Sequence, residues 1–135
     1  MALSAQDALV YFMVITAGAD ETISDQEIER MGALITRLPI FSGYEQEQFA
    51  RIATQCVDHM NGALGLDGVL LAATDALPER LRDTAYSLAV EVAAVDLKLE
   101  QEELHLLEMI ADRLELDKLT IGAIEAAARA RYRRL

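Results

Sequence analysis

The sequence has no tryptophan, and aromatic residues make up 5% of its 135 positions. A platform of aromatic side chains for stacking nucleic-acid bases is therefore not expected. Cysteine occurs once, at Cys56, so no intramolecular disulfide can form, which fits a reducing compartment. No uninterrupted apolar stretch approaches the ~18 residues of a transmembrane helix. The N-terminus lacks a basic leader, and Asp7 breaks its apolar run, so no signal peptide is expected. These features together predict a cytoplasmic protein. Positive charge is also scarce, and the formal net charge is −11. That balance opposes nucleic acid and anionic membrane over most of the surface, and favours cations or basic partners. The exception is the end of the chain, where Arg129, Arg131, Arg133 and Arg134 cluster.

Hydrophobic residues are plentiful at 53%, and proline occurs only twice, which argues for a packed globule rather than disorder. A chain of this length predicts one domain spanning 1–135, able to bury roughly two thirds of its unfolded surface without a covalent staple.

The sequence contains an internal duplication. Residues 20–27 read DETISDQE and residues 96–103 read DLKLEQEE. Both fit Asp-x-x-(Ile/Leu)-x-x-x-Glu, with Asp96 lying 76 residues after Asp20. The apolar positions that follow keep the spacing. Ile28, Met31, Leu34, Ile35 and Leu38 map onto Leu104, Leu107, Ile110, Ala111 and Leu114. Each copy reads as an acidic turn that starts an amphipathic helix.

Strand-like alternation is missing, and Ala, Leu, Glu and Gln dominate, so an all-α chain of seven helices is expected. Ser4 with Asp7 resembles a capping box for a first helix over about 5–17, whose apolar face is Val10, Met13, Val14 and Ala17. Ser24 with Glu27 caps a second helix to about 37, which Pro39 stops. Ser42 with Glu45 predicts a third, to about 61, with Phe49, Ile52, Ala53, Cys56, Val57 and Met60 on its face. Gly62 and Gly65 precede a short helix over about 66–76. Pro78 suits the first turn of a fifth helix carrying Tyr86, Ala89, Val90 and Ala93. A sixth spans about 100–114, and Asp117 caps a seventh that runs to the end. Asp117 then corresponds to Ser42, with one residue lost between copies. The layout predicts two three-helix units, about 5–61 and 80–133, packed face to face around a pseudo-twofold axis.

The acidic turns allow more than one reading. Exposed N–H groups at a helix start need acceptors, and carboxylates there complement the helix dipole. Ser24, Glu27, Glu100 and Glu103 supply such acceptors, while Asp20 and Asp96 suit Asx-turns. This accounts for the motif with no ligand. The second reading is a hard-cation site, because Asp20, Glu21, Asp25 and Glu27 crowd one turn and Asp96, Glu100, Glu102 and Glu103 the other. An EF-hand alignment with Glu27 at the twelfth position puts Thr16 and Gly18 where carboxylates belong. Any cation site would therefore be weak. The third reading is a metal-dependent enzyme. Glu102-x-x-His105 matches one half of a di-iron motif, but the other histidine, His59, has Cys56 at its i−3 position. His105 reads as a surface residue and Cys56 as core. The arginine-rich end reads either as cations complementing a helix C-terminus or as a docking patch for an acidic partner or phospholipid head groups.

Ala19 to Glu27, read as ADETISDQE, resembles the Ala-Asp-Gly-x-(Ile/Val)-Ser-x-x-Glu signature of TerB-like tellurite-resistance domains. Val95 to Glu103 resembles it more loosely. The resemblance spans nearly the whole chain and implies a non-enzymatic, cytoplasmic, duplicated helical module of stress resistance. It implies a protein partner near the inner membrane and a divalent cation as the one cofactor to consider; the charge balance already excludes nucleic acid as a partner. Carried over, the metal positions are Asp20, Glu27, Asp96 and Glu103. Glu21 and Leu97 depart from the family's glycine after the aspartate.

Overall fold

The computed structural model describes residues 2–18, 23, 25–94 and 101–135, with 101–103 by their backbone. Among the described residues there are seven α-helices and no strands. These are α1 (Ala5–Ala17), α2 (Asp25–Arg37), α3 (Gln46–Met60), α4 (Gly65–Ala76), α5 (Arg82–Ala93), α6 (Gln101–Arg113) and α7 (Lys118–Arg131).

The local signals explain several boundaries. Ser4 accepts a hydrogen bond from the Asp7 backbone N–H and starts α1, which ends where Gly18 donates back to Val14 and Thr16. Asp117 accepts from the Thr120 N–H and starts α7. Helices α2 and α6 have 13 residues each, and both their ends keep the spacing of 76. Pro78 stands just before a 3₁₀ turn, Glu79–Leu81, which runs directly into α5.

The start of α3 differs from the expectation. Ser42 caps nothing there; Glu45 occupies the N-cap position, with no side-chain cap bond, and the helix begins at Gln46. The cause lies just upstream. Pro39 opens a 3₁₀ turn, Pro39–Phe41, and Gly43 at φ +81° reverses the chain. Phe41 and Tyr44 are thereby buried, with ring centroids 5.6 Å apart. Gln6 on α1 fixes this connection by donating to the Ile40 carbonyl at 3.0 Å. The link from α6 to α7 is shorter. Glu115 takes the left-handed conformation at φ 56°, and the Leu116 N–H reaches back to the Ala111 carbonyl at 3.3 Å. Helix α7 consequently starts 72 residues after α3, so more than one residue is lost between the copies.

Helix α1 lies at the centre, packed against α3, α4 and α5, while α5 also meets α6 and α7. The single apolar face expected of α1 is a correction. Every residue from Asp7 to Ala17 is buried, including Leu9, Tyr11, Phe12 and Ile15. A helix apolar all round is one with neighbours all round. The faces expected of α3 and α5 pack into this core: Phe49, Ile52 and Cys56 on one, Tyr86, Ala89, Val90 and Ala93 on the other. Leu34 and Ile110 are buried equivalents on α2 and α6. Ile28 and Leu104 are equivalents too, but both stay exposed, at 49% and 43%. Each sits in the first turn of its helix, at the edge of the core.

Several polar groups inside the core are partnered, while the Arg82 Nε is buried without a hydrogen-bond partner among the described residues. Tyr44 donates to the Asp7 carboxylate at 2.8 Å, and Gln55 donates to the Tyr11 hydroxyl at 2.8 Å. Burial pushes the Tyr11, Tyr44 and Tyr86 phenols above their ordinary 10.0, and pushes the Cys56 thiol from 9.0 to about 12. Below those ordinary values both folded and unfolded chains keep the protons, and the fold retains its full stability. As pH rises beyond them, the unfolded chain ionises first and stability is lost. Each group contributes a slope of about 1.4 kcal/mol per pH unit while only the unfolded chain titrates. Denaturant midpoints recorded from pH 8 upward should stay level at first and then fall steeply above ~9–10. A flat profile to pH 11 would contradict the burial of these four groups.

Candidate functional site

Half of the sequence-nominated acidic positions, Asp20, Glu21, Asp96 and Glu100, lie outside the described residues, as do Ser24 and the side chains of Glu102 and Glu103, while Asp25 is exposed at the start of α2. Glu27 is described. It lies in the first turn of α2 and is buried at 8% exposure. Among the described residues no three His, Cys, Asp or Glu side chains gather closely enough to hold a metal ion. His105 is exposed on α6, and His59 lies in the last turn of α3. Cys56 is fully buried, its thiol sits 4.0 Å from the Tyr11 carbonyl, and burial pushes its pKa up, the opposite of the shift that activates a thiolate nucleophile.

The structure instead opens a cleft of about 550 Å³ between α5, α6 and α7. Its floor is apolar. Val90, Ala93 and Ala94 come from the end of α5, Leu104 and Leu107 from the start of α6, and Ala128 from α7. On α7, Glu125, Ala128, Arg129 and Tyr132 recur at three- and four-residue intervals, which turns all four to one side of the helix. Three alanines meet where larger side chains would close the gap, and this is why a cleft exists.

The polar groups around the cleft are of two kinds. Some are fixed. Glu125 accepts a hydrogen bond from the Tyr86 hydroxyl at 2.6 Å. Burial first, and this bond second, raise the Tyr86 pKa. Tyr132 donates to Glu91, which also pairs with Arg131. The Arg30 guanidinium of α2 lies 5.0 Å from the Tyr132 ring centroid, a cation–π contact that holds this wall in place. The others are open. Arg129, Arg133, Arg134 and Glu108 line the cleft and are exposed. None of the three arginines forms an ion pair among the described residues.

The sequence signalled half of this site. The arginine cluster is evident in the chain, whereas the alanine floor belongs to helices distant in sequence and becomes visible only once they pack. The retrospective signal is Ala93–Ala94 on α5 opposite Ala128 on α7, with Arg129 and Arg133 one turn apart.

A second surface feature lies on α4. Val69, Leu70 and Ala73 face the core, while Leu64 and Leu71 remain 44% and 56% exposed. Leu64 lies across Gly68, where an added Cβ would meet the leucine Cβ at 3.2 Å. The spacing of Leu64, Gly68 and Leu71 makes one outward apolar stripe.

No helix among the described residues is long and apolar enough to cross a membrane. Comparison with curated proteins found no match, and comparison with solved structures found none. The family model described as tellurite resistance protein TerB matches residues 6–126, from the first turn of α1 well into α7, and the chain belongs to that family.

Proposed function

We propose that this chain is a non-enzymatic helical module of tellurite and stress resistance. It works in the cytoplasm, near the inner membrane, by docking a protein partner. The observation that carries the reading is the leucine stripe of α4. Leu64 and Leu71 face outward from a helix whose opposite side is already committed to the core. Exposed single leucines are ordinary, but an aligned pair along a helix, spaced by a glycine, offers a partner an apolar contact line. Divalent cations at Asp20, Glu27, Asp96 and Glu103 are at most a weak accessory in this reading, in which Glu27 and Glu103 first serve as helix-cap acceptors and Asp20 and Asp96 as turn acceptors.

Affinity capture from the native cell, using wild type and Leu71→Asp with and without Ca²⁺ and Mg²⁺, tests this. Leu71 is exposed, so the substitution should leave the melting curve within a few degrees of wild type. The expected result is a partner retained by wild type, lost with Leu71→Asp, and indifferent to the cations. Equal recovery by both proteins, or recovery only with a cation, would contradict the proposal.

A further inference from the structure

We infer that the cleft between α5, α6 and α7 binds a single-chain anionic amphiphile, taken up as a monomer from water. Its acyl chain would lie on the alanine and leucine floor, with its headgroup against Arg129, Arg133 and Arg134. This goes beyond the docking role proposed for α4 and does not depend on it.

Size and place come first. About 550 Å³ lies within the range of small-molecule sites, and gaps between helices of a bundle are a usual location for them. Chemistry selects the tail. Val90, Ala93, Leu107 and Ala128 present hydrocarbon to the cleft. Apolar surface removed from water there stabilises a complex by roughly 25 cal/mol per Å² before the losses of association are subtracted.

Charge selects the headgroup. The chain carries −11 overall, yet three arginines converge on this one cleft without an ion-pair partner among the described residues. At physiological ionic strength charges act over about 8 Å, so a headgroup in the cleft responds to the charges of its lining more than to the net charge of the whole chain. Two carboxylates, Glu108 and Glu125, share the lining with the three guanidinium groups, so positive charge stays in excess there by one. Glu125 is also held by the Tyr86 hydroxyl, and Glu91 beside the cleft is paired with Arg131. Guanidinium groups suit carboxylate and phosphate oxygens through paired N–H donors. The fixed Tyr132 wall reduces the ordering that binding would otherwise require.

A bilayer fits these observations less well than a single molecule. The cleft is concave, and the chain's net charge of −11 opposes its approach to an anionic membrane.

Isothermal titration with laurate below its micelle concentration tests the inference on the full chain. Parallel titrations use dodecanol and vesicles of phosphatidylglycerol. Wild type should bind one laurate per chain saturably, and dodecanol roughly tenfold or more weakly, the discrimination expected from charge-assisted hydrogen bonds. Arg129→Gln with Arg133→Gln, both at exposed positions, should weaken laurate roughly tenfold or more and leave dodecanol unchanged. Ala94→Leu, which fills the half-buried floor, should weaken both ligands. Absence of saturable laurate binding, equal affinity for dodecanol, or binding to vesicles alone would overturn the inference. So would laurate affinity unmoved by the arginine substitutions. An acidic protein segment that competes with nothing in the cleft while laurate still binds would leave the amphiphile as occupant. Displacement of laurate by such a segment at equal or higher affinity would transfer the site to a protein partner.

Discussion

Phe12→Ala should lower the free energy of unfolding by about 3–5 kcal/mol. Phe12 is fully buried near the middle of α1, the helix enclosed by α3, α4 and α5. Truncation removes the ring's transfer energy and leaves a cavity that three packed neighbours cannot all close. Typical domains are stable by only about 5–15 kcal/mol, so this loss is a large fraction of the total. Leu119→Ala supplies the contrast. Leu119 is 83% exposed, and its truncation should stay within about 0.5 kcal/mol. Denaturant titration of both variants reads the difference. Similar midpoints for the two would contradict α1 as the centre of the core.

Leu34→Ala and Ile110→Ala should each cost about 2–5 kcal/mol. The two residues lie 76 positions apart and are 4% and 0% exposed. Both project from the buried side of helices that carry charge on the other, so each anchors its helix to the rest. The range is wide because the loss depends on how far each site collapses around the missing methyl groups. Helix α6 packs on α1, α4 and α5, whereas α2 packs on α3 and α5, so Leu34 should fall toward the lower end and Ile110 toward the upper. Near-wild-type denaturation midpoints for both variants would contradict their placement in the core.

Much of this fold was legible because helix ends are local events. Ser4 and Asp117 sit where a side-chain oxygen can accept an N–H three residues on, and both do so. The sixth helix was legible from the second, because an amphipathic stripe and its spacing repeat together. What escaped the sequence depends on neighbours. Ser42 and Glu45 have the spacing of a capping box, but burying Phe41 and Tyr44 outweighs it and moves the start of α3 to Gln46. The stripe of α1 looked one-sided because a sequence does not state how many helices will surround another. Ile28 and Leu104 continue the apolar period of their helices, yet that period runs past the edge of the core. The cleft was invisible for the same reason, since a void is defined by three helices jointly. The arginines beside it were readable as a cluster, and their common direction was not.

The capping and cation readings of the acidic turns diverge at Glu27. Glutamine can replace glutamate as the acceptor of a capping box, but it removes the charge that a hard cation requires. Glu27→Gln therefore separates the two readings, and Leu71→Asp interrupts the α4 stripe without touching either turn. The most direct measurement is survival on tellurite of cells lacking the native chain and supplied with wild type, Glu27→Gln or Leu71→Asp at matched levels. Action through the docking face predicts that Glu27→Gln protects as wild type does and that Leu71→Asp protects no better than an empty control. Loss of protection with Glu27→Gln, together with full protection by Leu71→Asp, would contradict the account and return the function to the acidic turns.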